Sequence, residues 1–493
     1  MNFDKNKLQN DLSDLKIEKR SFINNQFVAS HNKETFSKKS PIDNSDIIGI
    51  THCYQEDVEL AIKYAEETFK GRTWVEYPLE NKKKLFLNLA AKMQENIYEL
   101  ALLDTYETGR SFRNYYEDSI PKAIEIVTWF AEAIDKISDE ATAANQNNLA
   151  FIHRVPIGVV ACITPWNDPL VPALWKMIPA LLMGNSVIMK PAEQSTFSLL
   201  KIAQFLKELG LPAGALAILT GPGETTGKFL AKHPKIRGVF FTGSSEVGQK
   251  ILEYCGQSGI KKIGLECGGK STFIISKKSN KIELAAKTLA QNIFYNQGQI
   301  CSAPSRAFVH KDQASDFLKY LLKFSKDFTP KHSLDYSASV STLISSEAKV
   351  RVEKLLKLAD GKCENLYIID NDVKILNALS PTIIYNLDVN SELNDIEIFG
   401  PILILNSYDD INEVVLNSNQ SQYGLAASIW SDNLDEAIQI SQRLEAGIVY
   451  INSYGSDDMR VPFGGFKQSG VGKDKSLHAF DEYSQLKTTW INF

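Results

Sequence analysis

Cysteine is scarce in this chain, and closely paired cysteine is absent. Six cysteines, Cys53, Cys162, Cys255, Cys267, Cys301 and Cys363, are spread over 493 residues with no CxxC spacing. A chain this long does not need a disulfide framework, so the thiols point to a reducing cytosol; no metal site is expected. Long hydrophobic runs are also missing. No stretch approaches the ~18 uninterrupted apolar residues of a membrane helix. Met1 to Arg20 mixes Lys and Asp and has no apolar core of a signal peptide. Neither sign of charge dominates: 54 Lys and Arg face 59 Asp and Glu, for a net charge of −5. That gives no electrostatic reason to expect a nucleic-acid partner. Repeats and low-complexity segments are lacking too. The expected setting is cytoplasmic, with no membrane.

The remaining composition is that of a globular protein, 44% hydrophobic, 23% charged and 10% aromatic. At about 150 residues per domain, the length suggests roughly three domains. Residues 1–20 read as a polar tail or helix, and Phe22-Ile-Asn-Asn-Gln-Phe-Val28 as a hairpin around Asn-Asn. Apolar residues at three- and four-residue spacing predict helices over Asp57–Phe69 and Asn81–Leu103. From Val155 short apolar runs take over. Strands are predicted at Gly158–Thr164, Ser186–Lys190, Ala215–Leu219, Ile236–Thr242 and Lys261–Glu266, with helices at Pro172–Met183 and Ser195–Leu209 between them. This alternation predicts βαβ units and a parallel sheet, which binds ligands at the carboxyl ends of its strands. A second α/β set runs from Gly268 to about Ile451. Thr329–Tyr336 and Leu358–Lys374 read as surface loops.

Candidate chemistry centres on Cys301, in Gln297-Gly-Gln-Ile-Cys301. Glu266, in Gly264-Leu-Glu266-Cys-Gly-Gly-Lys270, and Asn167, in Thr164-Pro-Trp-Asn167, add a carboxylate and a side-chain amide. Nucleophile, base and oxyanion donor are the parts needed for covalent chemistry on a carbonyl. Each has a plainer alternative: a buried small hydrophobe, a strand-end carboxylate, a turn or cap residue. Two glycine-rich turns are candidate phosphate cradles. Gly221-Pro-Gly223-Glu-Thr-Thr-Gly227-Lys matches neither a P-loop nor GxGxxG. Phe241-Thr-Gly243-Ser244 follows a strand and opens a helix, where free N–H groups can meet a pyrophosphate. Lys190-Pro-Ala-Glu193 follows the second strand. A carboxylate there can accept ribose hydroxyls and repel a 2′-phosphate, favouring NAD over NADP, with a helix-start carboxylate as the alternative.

Taken together these motifs, with Glu397-Ile-Phe399-Gly-Pro and Pro462-Phe-Gly-Gly-Phe-Lys-Gln-Ser-Gly470, resemble the aldehyde dehydrogenase superfamily from about Phe22 to Phe493. The resemblance implies an α/β fold with a Rossmann-like cofactor domain (1–136 and 156–264), an α/β catalytic domain carrying the nucleophilic cysteine (265–451, with 452–477 as an active-site loop segment) and a small β oligomerisation element (137–155 and 478–493). In that element Ala150–Arg154 and Leu486–Ile491 are expected as edge strands, giving a homodimer or homotetramer. The resemblance also implies Cys301 as nucleophile, Glu266 as the base for thioester hydrolysis and Asn167 as oxyanion donor. It implies NAD contacts at Thr164, Trp166, Lys190, Glu193, Gly223, Gly227, Phe241, Gly243, Ser244, Gly268, Glu397 and Phe399, with Asp474 at a proton-relay position.

Local matches such as Ile120-Pro-Lys-Ala, Asp458-Met459 and Leu486-Lys-Thr-Thr-Trp490 resemble the γ-glutamyl-γ-aminobutyraldehyde and 4-guanidinobutyraldehyde dehydrogenases of polyamine and arginine breakdown. That implies an ω-amino, γ-glutamylamino or guanidino aldehyde substrate. Glu117, Asp118, Asp168, Trp175, Asp457 and Asp458 are the expected tunnel residues; acids would suit a cationic tail, and an aromatic wall would add cation–π attraction. Arg460 is a candidate partner that would cancel one of these acids. The alternatives are a broad-range or semialdehyde dehydrogenase and a catalytically silent homologue. An anionic tail would ask for Arg or Lys in the tunnel, where the sequence offers mostly acids.

Overall fold

The computed structural model describes residues 3–143, 145–370 and 372–493. Met1 and Asn2 of the expected tail, Ala144 of the expected oligomerisation element and Asn371 of the expected 358–374 loop lie outside the described residues. Among the described residues the chain builds two large α/β sheets, a three-stranded antiparallel sheet and two two-stranded ones, one of them the hairpin Thr35–Lys39 with Asp46–Thr51. The first sheet has eight strands, in the order Gln26–Val28, Ser21–Ile23, Leu216–Ile218, Ser186–Lys190, Val159–Ile163, Gly238–Thr242, Lys262–Glu266 and Gly470–Val471. Its five central strands are parallel. They are short runs such as Val-Val-Ala-Cys-Ile, buried along their length, as expected where helices cover both faces. Numbered along the chain, these five lie in the order 3-2-1-4-5. The order reverses between Val159–Ile163 and Gly238–Thr242, which puts a ligand crevice beyond Ile163 and Thr242.

The second sheet has seven strands, in the order Cys363–Ile368, Thr382–Leu387, Ile402–Tyr408, Arg306–His310, Thr272–Ile275, Ala426–Trp430 and Ile448–Ile451. Only the Cys363–Ile368 pairing is antiparallel. The chain leaves the first sheet at Glu266 and enters the second at Thr272. The segments around Gly268, Cys301 and Phe399 therefore stand before strands of the second sheet and face the crevice of the first.

Most predicted elements appear within two residues of their expected ends, and the exceptions have local causes. The hairpin turn at Asn24 and Asn25 has φ of 51° and 58°, the left-handed pair that lets two strands meet over two residues. The helix expected over Asn81–Leu103 is two, Leu79–Glu95 and Ile97–Thr108. Asn96 stops the first by donating from Nδ2 to the Lys92 carbonyl at 2.7 Å. The expected loop 358–374 contains the strand Cys363–Ile368, whose mostly exposed residues hide it in the sequence. In the three-stranded sheet, Asn148–Pro156 is not an edge: it lies between Glu140–Thr142 and Ser484–Asn492. Among the described residues no helix is long and apolar enough to cross a membrane.

Candidate active site

A cavity of about 890 Å3 opens where the two sheets meet. Its wall includes Cys301, Glu266 and Asn167, with Trp166, Gly243, Ser244, Gly268, Glu397 and Phe399 on the same surface. The three candidate reacting groups come from three segments held together by backbone geometry. Asn296, Gln297 and Gly298 take φ of 49°, 56° and 70° in succession. Non-glycine residues hold such angles only when their surroundings fix them. Here Gln297 exchanges hydrogen bonds with Leu379, donating to its carbonyl at 3.1 Å and accepting from its N–H at 2.9 Å. Gln299 accepts from the Ile344 N–H at 2.9 Å. A Cβ on Gly298 would lie 2.2 Å from the Gly400 carbonyl oxygen. This strained turn presents Cys301, half-exposed, to the cavity.

Asn167 is clamped to the same turn. Its Nδ2 donates to the Gln299 carbonyl at 2.9 Å, and Asn296 Nδ2 donates to the Asn167 carbonyl at 3.1 Å. A side-chain amide nitrogen carries two N–H groups, so one stays free for an oxyanion. Glu266 ends the strand Lys262–Glu266, buried, and neither carboxyl oxygen has a hydrogen-bond partner. Burial holds its carboxyl well above the usual range and Asp474 adds to this, while Lys176 and Lys473 pull the other way. A Cβ on Gly464 would come within 2.4 Å of Glu266 Oε1, so only glycine lets the chain pass there. Burial, with Glu397 and Glu266 nearby, pushes the Cys301 thiol up to about 12.

The cofactor side fits a dinucleotide. Ser244 caps the helix Ser245–Ser258, accepting from the Val247 N–H at 3.3 Å, at the point where the strand order reverses. A Cβ on Gly243 would meet the Phe241 ring at 2.4 Å, and one on Gly268 would meet Glu397 Oε2 at 2.2 Å. Glu397 Oε1 accepts from the Gly269 N–H at 3.1 Å, and burial pushes its carboxyl up to about 7. Phe399, at φ 53°, stands edge-on to Trp166 with ring centres 5.5 Å apart. Thr164, Lys190, Glu193, Gly223, Gly227 and Phe241 lie outside this cavity wall. Lys190, buried at its strand end, pairs with half-exposed Glu193 at 3.2 Å. Gly223 has open space around it and Gly227 only a distant Lys190 carbon, so neither is required by packing.

The remaining wall differs from its sequence expectation. Trp175, Asp118, Asp168, Asp457 and Asp458 line the cavity, but Glu117 does not: it binds Arg113 at 2.8 Å and the Tyr336 hydroxyl at 2.7 Å. The four lining acids all have partners. Asp168 pairs with buried Arg110 at 3.0 Å and accepts from Ser119 Oγ at 2.6 Å. The Tyr295 hydroxyl joins Arg110 to Asp118. Asp457 is held between Lys122 and Lys475. Arg460 Nη2 donates to Asp458 at 2.6 Å. Acids outnumber bases in this wall as expected, but Arg110, Lys122 and Lys475 stand among them. Sequence reasoning also missed Lys176, which binds Asp474 at 2.8 Å with both side chains buried. Its signal was available, because it is the one charge in the apolar helix Leu170–Leu182.

Residues 27–489 match the model of the aldehyde dehydrogenase family. The NADP/NAD-dependent aldehyde dehydrogenase PuuC of Escherichia coli is 38% identical over 97% of this chain and 96% of its own. A solved gamma-glutamyl-gamma-aminobutyraldehyde dehydrogenase from Burkholderia cenocepacia superposes with a TM-score of 0.95 at 37% identity, covering 99% of both chains. The indole-3-acetaldehyde dehydrogenase AldA of P. syringae, solved with NAD+, gives 0.96 at 36% identity over 99% of both chains. One of these neighbours is thus solved with NAD+ and PuuC is named for both NADP and NAD, and the chain belongs to the aldehyde dehydrogenase family.

Proposed function

We propose that this aldehyde dehydrogenase oxidises an amino-bearing aldehyde to its carboxylic acid by covalent catalysis on Cys301. The thiol attacks the carbonyl carbon and forms a C–S bond. Because burial disfavours the thiolate, its proton must leave as that bond forms, and Glu266, a buried carboxyl with raised basicity and no partner, receives it. The oxyanion of the thiohemiacetal is held by the Cys301 N–H and the free N–H of Asn167. When bound, NAD supplies the hydride acceptor that turns the thiohemiacetal into a thioester. Ser244, Glu193, Glu397 and Phe399 are the residues that hold it. Glu266, having returned its proton to solvent, takes one from water; the hydroxide adds to the thioester, and the acid leaves with Cys301 regenerated.

The observation that carries the substrate reading is the pattern of charges in the remaining wall. Two carboxylates, Asp118 and Asp168, share one guanidinium, Arg110. Two ammonium groups, Lys122 and Lys475, share one carboxylate, Asp457. One cluster is left with an excess negative charge and the other with an excess positive charge. Of ω-amino, guanidino and γ-glutamylamino tails, only the last carries both an ammonium and a carboxylate, so we take it as the preferred substrate class. One of the neighbours named above is a gamma-glutamyl-gamma-aminobutyraldehyde dehydrogenase. NADH formation should be compared for γ-glutamylaminobutyraldehyde, aminobutyraldehyde, guanidinobutyraldehyde, succinic semialdehyde and butanal. The γ-glutamyl compound is expected to give the highest kcat/KM. A win for butanal or the semialdehyde would sink the reading. The setting we infer is cytoplasmic. Association into a dimer or tetramer is inferred from the edge strand Ser484–Asn492, which exposes Leu486 and Trp490.

A further inference from the structure

A buried ion pair lies away from the reacting groups, under the loop that carries Glu193. The hairpin strand Thr35–Lys39 turns Phe36 and Lys38 inward, leaving its other residues exposed. The Lys38 side chain is 11% exposed and pairs with Glu107, which is fully buried. Glu107 sits in the last turn of the helix Ile97–Thr108, where the helix dipole disfavours a carboxylate. What compensates it is the start of another helix, Phe197–Glu208. Glu107 accepts from the Thr196 N–H at 2.9 Å, the Thr196 hydroxyl at 3.2 Å and the Phe197 N–H at 2.6 Å. The Thr196 side chain makes no cap of its own, so a residue ninety positions earlier caps this helix. Lys38 Nζ also donates to the Gln194 carbonyl at 2.8 Å and lies 4.8 Å from the Phe197 ring centre.

These contacts fall at one end of the loop 191–196. Its other end is fixed by the strand Ser186–Lys190, and Glu193 projects from the middle. We propose that Lys38 and Glu107 are positioning residues for NAD: together they set the 191–196 loop so that Glu193 meets the adenosine ribose. The proposal rests on Glu193 being the ribose acceptor. Without the ammonium, the Gln194 carbonyl beside Glu193 loses its tether and Glu107 is left buried without a counter-charge. The loop then samples positions in which Glu193 no longer reaches the ribose hydroxyls. Lys38 and Glu107 do not line the cavity that holds Cys301, Glu266 and Asn167. Their loss is therefore felt in cofactor binding and not in the chemical steps.

The test is direct titration of the purified protein with NAD and with ADP-ribose by calorimetry, alongside steady-state kinetics. In Lys38→Met both dissociation constants should rise roughly 10-fold, the size of one lost hydrogen bond to a charged group. The value of kcat at saturating NAD and the KM for aldehyde should stay within about twofold, and Lys38→Arg should recover most of the affinity. Glu107→Gln keeps an acceptor for the helix N–H groups but removes the ion pair, and should weaken both ligands in the same way. It decides the matter if Lys38→Met does not fold. Lys39→Met, which removes an exposed surface pair with Asp46, should change nothing. If Glu193→Gln weakens NAD while folded Lys38→Met and Glu107→Gln bind normally, the anchor is wrong. If Glu193→Gln itself binds both ligands normally, the ribose reading fails and the proposal with it.

Discussion

The cavity has two walls rich in the same residue type, and they treat it in opposite ways. Around Cys301, Glu266 has no hydrogen-bond partner and Glu397 has a single backbone donor; burial raises both carboxyls. In the other wall, Asp457 and Asp458 sit against lysines or arginine that hold their carboxyls below the usual range. A buried carboxyl without a partner is costly and persists where its readiness to take a proton is used. A paired one is cheap to keep ionised and offers shape and charge to a ligand. The comparison separates the wall to which we assign the chemistry from the wall to which we assign recognition, although composition alone does not distinguish them.

The largest effects should come from breaking the reactive wall. Cys301→Ala removes the proposed nucleophile, and NADH formation should fall by about 10^4-fold or more; turnover near the parent rate would end the covalent mechanism. Glu266→Gln should lower kcat by roughly 10^2- to 10^4-fold. Its pH profile is the sharper readout. The working form of Glu266 is the carboxylate, and its raised pKa keeps more of it protonated at a given pH. The Cys301 thiol, pushed up to about 12, also loses its proton more readily as pH rises. Parent activity should therefore climb toward alkaline pH and fall toward acid, and the limb due to Glu266 should vanish in Glu266→Gln. Asp457 and Asp458, held low by their cationic partners, stay ionised over the same range, so pH should move kcat more than it moves their contribution to KM.

How far these walls are legible in sequence follows the same division. The strand–helix alternation from Val155 onward and the segments bearing Asn167, Glu266 and Cys301 are readable because each is local: an apolar run, then a turn residue at its end. The strained turn at Asn296 and Gln297 is legible only as a motif, because its amide partners Leu379 and Ile344 lie far along the chain. The recognising wall was misread for the same reason. Asp168 is readable as a tunnel acid, but its partner Arg110 comes from just beyond the helix Ile97–Thr108, and Lys122 reaches Asp457 across 335 positions of sequence. Charges were visible, as was the local pairing of Arg460 with an acid two residues away; the long-range pairings were not. Lys38 and Glu107 show the limit, since an inward lysine on a short hairpin has no periodic signature.

The recognising wall should respond less, and selectively. Arg110→Met leaves Asp168 without its ion-pair partner in a mostly buried site, and should cost about 3 kcal/mol of stability in urea unfolding. A variant as stable as its parent would mean that solvent already screens this pair. Asp457→Asn frees Lys122 and Lys475 together. For aminobutyraldehyde, whose tail carries an ammonium and no carboxylate, kcat/KM should fall about 10-fold, while succinic semialdehyde should improve. If both substrates change alike, Asp457 acts through packing and not through charge.

The smallest expected effect falls on Asp458, the acid best matched to the amino-aldehyde subgroup. Arg460 encloses it: the guanidinium Nε lies 3.0 and 3.1 Å from its two oxygens, Nη2 donates at 2.6 Å, and the Arg460 N–H donates at 2.8 Å. A carboxylate with its acceptor positions filled from one neighbour has little left for a substrate cation, and both partners are largely exposed, where such pairs contribute little. Asp458→Ala should therefore leave kcat/KM for every aldehyde within about twofold. The informative change is on its partner. Arg460→Ala releases Asp458 into the cavity wall and should raise the preference for guanidinobutyraldehyde over the γ-glutamyl compound. If Asp458→Ala instead abolishes selectivity, Arg460 gives way when substrate binds, and the two walls differ less than their resting charges imply.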